Sequence, residues 1–404
     1  SLKLESENGI LNDDAGTLIA NGSIEIKSNS GGFVNKNTLV AKNNISIDTQ
    51  KEIGNYGVIN TQTGDISLVS KVNGVVNRDR ILSGQHMDVR LGTTLDNVGV
   101  IQVDGEMSVD AKYLINDNSS TISSVGDMVI ELNNTFQNRG VIETDRDFRI
   151  ESNYFDNRYG ELEGRGLGTS FIIMSGSNKN IHNQSGSIKL KKSLNITGVN
   201  SFLNSNGFVG VLNDLFINAY VIDNKNTNST GEGIMAGGGI VLTSGVGGTK
   251  NDNGVITGDT VRLESLGNMS NKSGRVLGKS YLSLKNKHKF YNNSGLVQSD
   301  DDIYIEVDTF DNRNGDLKAK DIVLDNIDDV YNKDGLIIAS DSLSIESNQF
   351  YNLKGGIYLN SKSAAVMKIG EFNNISGEMV FKGSVIFEDG YTLNNNSGKL
   401  VSNE

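Results

Sequence analysis

Two carboxylates of this sequence are spaced in a way that could do acid–base chemistry. Glu143 and Glu163 hold the same place in a repeated pattern, with Arg139 and Arg158 shortly before them and Lys189 at the next equivalent place. If the repeats stack, the carboxylates lie about one strand spacing apart, which approaches the ~5 to 5.5 Å of a retaining glycosidase pair. Alternating charge on a solvated sheet face produces the same pattern. We expect this second explanation to hold, and we assign no catalytic residue.

Metal and histidine chemistry has few candidates. The run Asp300–Asp302 could ligate calcium through its carboxylates, but it lacks the Gly-Gly-x-Gly-x-Asp calcium repeat and stands where other repeats carry polar turns. We therefore expect a solvated corner there. His86, His182 and His288 fall in distant repeats and different registers, which predicts no shared site. Because the chain has no Cys, it can form neither a thiolate metal site nor a disulfide framework. We predict no metal and no cofactor.

Charge and hydropathy restrict the partners further. The net charge of -12 and the sequence pI of about 4.9 argue against nucleic acid. No apolar run approaches the ~20 residues of a membrane-spanning helix, so we predict no transmembrane segment. Gly231, Gly233 and Gly237 do not have the G-x-G-x-x-G spacing of a dinucleotide loop. The pattern begins and ends in mid-repeat, which indicates a piece of a longer protein.

The repeat that must position these side chains is marked by Asn. Two residues before each marker Asn stands an apolar residue, Gly follows many of them by three, and an apolar-x-apolar pair comes later. The marker residues are Asn35, Asn55, Asn77, Asn97, Asn116, Asn138, Asn157, Asn183, Asn204, Asn224, Asn271, Asn292, Asn312, Asn332, Asn352, Asn374 and Asn395. Most intervals are about 20 residues, and a short helix-free repeat can bury its apolar face only against its neighbours.

Composition agrees with a continuous sheet. The chain has no Pro, which sheet interiors exclude, but it has 47 Gly and 52 Asn for turns. No segment has the 3.6-residue periodicity of an amphipathic helix. A leucine-rich repeat has a similar length, but its Asn follows an L-x-L strand and a helical half-repeat, which this unit lacks. The predicted fold is all-β, a right-handed parallel β-helix (solenoid) of about 19 coils.

The marker Asn has a structural role in this prediction. Stacked Asn side chains form an amide ladder in which each donates a hydrogen bond to the next. The apolar residue before it fills the interior, and Gly stands where a Cβ would clash. We assign the ladder to Asn138, Asn157, Asn183, Asn271, Asn292, Asn312, Asn332, Asn352, Asn374 and Asn395.

The full unit, written out well at residues 330–345 and 136–150, resembles the haemagglutinin repeats of large bacterial two-partner-secreted exoproteins. These include the filamentous haemagglutinins and the contact-dependent growth inhibition effectors. The resemblance covers most of the chain except residues 164–180 and 225–262. It implies a virulence-associated protein that is exported through an outer-membrane transporter partner, folds outside, and is secreted or held at the bacterial cell surface.

We therefore predict one β-helix repeat array over residues 1–404, with irregular coils or insertions at 164–180 and 225–262. Insertions in solenoids often lie on the binding face, so these segments are the candidates for recognition. The predicted function is a non-catalytic stalk or adhesin segment, not an enzyme, that binds a target-cell surface receptor, either protein or glycan. The alternative is a carbohydrate-active β-helix enzyme, a polysaccharide lyase or glycoside hydrolase.

Overall fold

The computed structural model describes residues 1–388 and 392–403, and these residues form β-strands and turns without any helix. Every described strand pairing is parallel, for example Ile24 with Ile45 and Phe310 with Val330. The predicted all-β parallel β-helix is confirmed. The chain forms two compact units, Ser1–Asn200 and Ser201–Glu404.

The strands are short and follow one another at close intervals. Up to residue 190 they are Leu2–Ser6, Ile10–Asn12, Thr17–Ala20, Ile24–Ser28, Phe33–Asn35, Thr38–Ala41, Ile45–Thr49, Ile53–Asn55, Val58–Thr61, Ile66–Ser70, Val75–Asn77, Arg80–Ser83, Met87–Leu91, Thr94–Asn97, Val100–Val103, Met107–Asn116, Thr121–Ser124, Met128–Asn138, Val141–Thr144, Phe148–Ser152, Tyr154–Asp156, Glu161–Gly164, Thr169–Met174, Asn180–His182 and Ser187–Leu190. From residue 193 they are Ser193–Leu203, Phe208–Val211, Leu215–Asp223, Gly233–Ala236, Gly239–Lys250, Val255–Ser265, Met269–Ser270, Arg275–Asn286, Lys289–Tyr291, Leu296–Ser299, Asp302–Glu306, Thr309–Asp311, Asp316–Tyr331, Leu336–Tyr351, Gly356–Leu359, Ala365–Asn373, Glu378–Phe381, Val385–Glu388, Thr392–Asn394 and Lys399–Ser402.

Each coil passes through three faces. Face A carries the apolar-x-apolar pair, face B carries the apolar residue two places before the marker Asn, and face C follows the turn after that Asn. In the second unit the pairs Ile303 with Ile322, Phe290 with Phe310 and Val297 with Leu317 represent the three faces. Equivalent letters of the repeat are therefore neighbours on adjacent coils, about 4.8 Å apart.

Strict alternation places one side chain in two inside the coil. Along Ile24–Ser28, for example, buried and outward-facing residues alternate. The interior is filled by Ile, Leu, Val and Phe, and some aromatic rings stack along the coils. The rings of Phe136 and Phe155 are parallel within 4°, with centroids 4.5 Å apart. Such pairs add about 0.5 to 1.5 kcal/mol beyond their burial.

Glycine is needed at the turn because neighbouring coils approach closely there. A Cβ on Gly335 would lie 2.1 Å from the backbone oxygen of Asn312 in the preceding coil, so the clash predicted from the sequence is confirmed. The left-handed backbone stands one residue earlier and is not Gly: φ is 54° at both Asn314 and Asp334. An outward-pointing side chain fits at that position, and Asn and Asp tolerate it best.

Candidate functional site

The predicted ladder residues bond directly to one another. In the first unit Asn12, Asn35, Asn55, Asn77, Asn97, Asn116, Asn138, Asn157 and Asn183 each donate from Nδ2 to Oδ1 of the next, over 2.7 to 2.9 Å. In the second unit the series is Asn204, Asn224, Asn251, Asn271, Asn292, Asn312, Asn332, Asn352, Asn374 and Asn395, over 2.6 to 2.8 Å. The ladder side chains are thus satisfied by each other.

The second Nδ2 hydrogen is also used. In Asn312, for example, Nδ2 also donates to the backbone carbonyl oxygens of Gly315 and Leu336, at 3.1 and 3.2 Å. Seven marker residues that were not assigned to the ladder belong to it as well, and two ladder members, Asn12 and Asn251, are absent even from the marker residues. Asn251 follows Thr249 where an apolar residue is expected, and Asn12 has Gly four places later instead of three. The apolar Ile10 two places before Asn12 and Gly254 three places after Asn251 were signals that could have found them.

The carboxylate row is tied together by an arginine. Glu143 and Glu163 are register neighbours, as expected, but Arg165 lies between them and bonds each at 2.9 Å. Asp145 makes a third ion pair with Arg165 at 3.0 Å. Hydrogen bonds from Arg165 to Asp145 and Glu163 raise the pKa of this guanidinium. Lys189 is the register neighbour of Glu163, as expected, and its Nζ bonds Glu161 at 2.6 Å. The arrangement compensates charge and holds neither carboxylate free for a substrate.

Arg139 and Arg158 lie in the turns that follow face B and bind a different carboxylate. The side chain of Asp156 is 4% exposed and accepts from the Nη2 atoms of Arg139 at 2.6 Å and Arg158 at 2.8 Å. Burial opposes ionisation, but the hydrogen bonds from Arg158 and Arg139 outweigh it and hold the pKa of Asp156 well below its ordinary value. The second unit has a related cluster at Asp311, which accepts hydrogen bonds from Arg313 and, in place of the second arginine, from Asn293. The sequence assignment missed both clusters, although Asp directly before the marker Asn and Arg directly after it was a readable signal.

The three histidines lie in different parts of the fold and do not contact one another. His86 accepts a hydrogen bond at Nδ1 from the Glu106 amide, 3.0 Å away. His182 lies on face B beside the ring of Tyr154, at 5.2 Å between centroids, and burial, followed by the charge of Arg158, lowers its pKa. His288 belongs to the second unit, in the corner after face A. Within the described residues no group of three or more acidic or metal-binding side chains could hold a metal ion.

The acidic run at residues 300–302 precedes a face A strand. Asp302 is the register neighbour of Asp321 in the next coil. Burial, followed by the negative charge of Asp321, raises the pKa of Asp302. Asp321 accepts a hydrogen bond from Ser342 Oγ at 2.6 Å. The run lies at a polar corner of the coil, where the sequence placed it.

A second ladder lies in the corner between faces C and A of the first unit. Here a side chain just before the face A strand accepts the backbone N–H of its equivalent in the next coil. The bonds run from Asp65 N to Asn44 Oδ1 (3.0 Å), His86 N to Asp65 Oδ1 (3.0 Å), Glu106 N to His86 Nδ1 (3.0 Å), Asp147 N to Asp127 Oδ1 (3.2 Å) and Gly168 N to Asp147 Oδ1 (3.2 Å). In the sequence, this second ladder is marked by Asn, Asp or His directly before the apolar-x-apolar pair.

The first irregular segment, 164–180, remains part of the sheet. Its strand Thr169–Met174 pairs in register with Phe148–Ser152 of the preceding coil. The additional length lies partly in the corner after Gly164 and mostly in the turn after Met174, where Gly176 has a φ of 76°. Leu167 projects from the preceding corner with 81% of its surface exposed, beside a groove of 460 Å³. The segment is a coil with enlarged corners.

The second irregular segment, 225–262, is also coiled. Its strand Gly239–Lys250 pairs with Leu215–Asp223, with a register shift between Ala219 and Val221 where the corner widens. Tyr220, Val246 and Leu266 occupy this corner in successive coils and are 54%, 61% and 64% exposed. This is the clearest apolar surface of the second unit. Such a surface, unlike isolated exposed apolar residues, marks interaction sites.

Comparison with family models, with curated proteins and with solved structures gave no significant match. Among the described residues no helix is long and apolar enough to cross a membrane.

Proposed function

We propose that the chain is a non-catalytic β-helical segment of a secreted or surface-attached bacterial exoprotein, in which it serves as a stalk and presents a surface that binds a target-cell receptor. The observation that carries the proposal is the buried Asn ladder, which continues from coil to coil in each unit. The repeat resembles that of two-partner-secreted exoproteins, and this supports the placement at the cell surface and the need for an outer-membrane transporter partner.

The physical basis is that stability accumulates along the coil axis. Each coil shares sheet hydrogen bonds, buried apolar residues and a ladder amide with its neighbours, so the array behaves as a sum of coil and interface contributions. A chain with neither Cys nor Pro needs no disulfide formation and no slow X-Pro isomerisation to reach this state. Both features suit export as an unfolded chain followed by folding outside the cell.

The carbohydrate-active alternative depends on Glu143 and Glu163. Both carboxylates are engaged by Arg165, and each side chain is about one-third exposed or less. A retaining mechanism needs one carboxyl protonated as an acid and the other free as a nucleophile. A guanidinium bonded to both carboxylates occupies the space between them, which weighs against this alternative.

Binding and hydrolysis can be measured on the same protein. Fluorescently labelled chain is incubated with bacterial and animal cells, and saturable binding that unlabelled chain displaces is scored by flow cytometry. In parallel, acidic polysaccharides are assayed for new reducing ends and for unsaturated products. We expect saturable binding to one cell type and no product. Product that disappears in Glu163→Gln would overturn the proposal in favour of the enzyme, and absence of binding to every cell type would refute the receptor-binding role.

A further inference from the structure

The first two face A strands of the second unit have an uncharged outward side. Phe216 and Asn218 point outward in one coil, and Val241 and Thr243 are their register neighbours in the next. With the corner residues Tyr220 and Val246, these six side chains form what we call the uncharged patch. Phe216 is 44% exposed, and Tyr220 and Val246 are more than half exposed.

The patch differs from the coils that follow it because one of their two outward rows is charged. In the row that begins with Asn218 and Thr243, the following coils carry Glu264, Lys285, Glu306 and Asp325. A centre without charge, with aromatic residues and a charged rim, is the usual composition of a protein–protein interface. The aliphatic side chains of Val241, Val246 and the adjacent Leu266 favour a protein partner over a glycan, which needs hydrogen-bonding groups and ring faces.

The rim contains two opposite charges that the chain does not pair. Arg262 and Glu264 point outward two residues apart on one strand, directly next to Val241 and Thr243. Equivalent charges elsewhere bond each other: Arg149 with Glu151 at 3.2 Å and Arg90 with Asp88 at 2.9 Å. Across the described part of the chain, neither Arg262 nor Glu264 forms an ion pair or a side-chain hydrogen bond.

We propose that the uncharged patch binds a second copy of this chain. A two-fold axis parallel to the stacking direction and passing between the two outward rows places Arg262 of each copy opposite Glu264 of the other. The same axis sets Phe216 and Val241 of each copy against Asn218 and Thr243 of the other. An interface of this isologous kind requires a self-complementary surface, and adjacent opposite charges beside an uncharged centre meet that requirement.

The dimer is weak. The coils of Phe216, Val241 and Arg262 present three five-residue strands, which cover roughly 240 Å² per copy at ~4.8 Å between strands and ~3.3 Å per residue. The buried total of roughly 480 Å² lies below the ~1,200 to 2,000 Å² of stable complexes. We therefore expect dissociation constants in the range of tens to hundreds of micromolar. Chains concentrated at a surface would associate more strongly through multivalency. The dimer itself does not depend on the function proposed above.

Sedimentation velocity over ~5 to 500 µM chain tests the proposal. Wild type should sediment faster as concentration rises. Arg262→Glu places like charges opposite each other and should weaken association at least tenfold, whereas the exchange Arg262→Glu with Glu264→Arg should restore it. Val241→Lys should abolish association. Val98→Lys, the same change at an exposed valine of the first unit, should have no effect. Circular dichroism checks that each variant is folded.

Three results would overturn the proposal. Wild type that remains monomeric at every concentration excludes the dimer. A charge exchange that fails to restore association, in a folded protein, excludes the two-fold pairing. If wild type is monomeric but binds immobilised neutral glycans, and Val241→Lys loses that binding, the patch is a sugar site instead.

Discussion

Replacing Asn332 by Leu removes one rung of the ladder in the second unit. Asn332 is fully buried, accepts from Asn312 at 2.8 Å and donates to Asn352 at 2.8 Å. The substitution leaves one donor and one acceptor unpaired, at about 1 to 3 kcal/mol each, or roughly 2 to 6 kcal/mol together. Burial of the leucine side chain offsets about 1.5 to 3 kcal/mol. The net loss expected is about 1 to 3 kcal/mol.

The change should be measured locally as well as globally, because solenoid coils can open in part. Urea unfolding followed by circular dichroism gives the midpoint, and hydrogen exchange with mass spectrometry gives the opening free energy of the coils around residue 332. Lys333→Leu is the matched control, since Lys333 is the exposed next residue of the same turn. If Asn332→Leu unfolds and exchanges like Lys333→Leu, the ladder contributes nothing and the reasoning fails.

Three further changes test other contacts. Gly315→Ala should lower stability by about 1 to 3 kcal/mol in urea unfolding, because its Cβ would lie 2.0 Å from a backbone oxygen of the preceding coil; wild-type stability would contradict this close approach. Asp156 has a pKa depressed below 3.8, so its carboxylate stabilises the fold above that pH and the contribution is lost as pH falls through the lower folded value. Asp156→Asn should therefore be less stable at pH 7, with the difference shrinking below pH 3; a constant difference from pH 7 to 2 would refute the assignment. Arg165→Leu leaves three carboxylates together and should cost less than about 1 kcal/mol at pH 7, since the groups are partly exposed. Its melting temperature should approach that of wild type on acidification, and a gap that widens instead would count against the charge cluster.

The strand register was predictable because it depends on spacing alone. The apolar residue before each marker Asn recurs about every 20 residues, and a solenoid converts that interval directly into vertical stacking. The pairs Phe310 with Val330 and Leu317 with Ile337 follow from this spacing without any knowledge of side-chain conformation. The same argument identified Glu143 and Glu163 as neighbours.

Contacts that depend on the length and path of a side chain were harder to predict from the sequence. The position of Arg165 between Glu143 and Glu163 requires a long side chain to cross from the corner to the face, and the repeat pattern does not encode that path. The left-handed residue before Gly was also missed, because Ser, Asn, Asp, Lys and Tyr all occupy that position. The irregular segments were predicted as departures from the repeat, but the pattern does not say whether they leave the sheet.

The central claim is that equivalent letters of the repeat lie directly above one another. The chain has no native cysteine, so disulfide formation between introduced pairs reports this without interference. Ser46 and Ser67 are outward register neighbours, and Ser108 lies in the same row two coils beyond Ser67. A disulfide needs Cα atoms within about 7 Å. Ser46→Cys with Ser67→Cys should therefore close rapidly on mild oxidation of the folded monomer, whereas Ser46→Cys with Ser108→Cys should not. Closure of the second pair in preference to the first would contradict the stacked register.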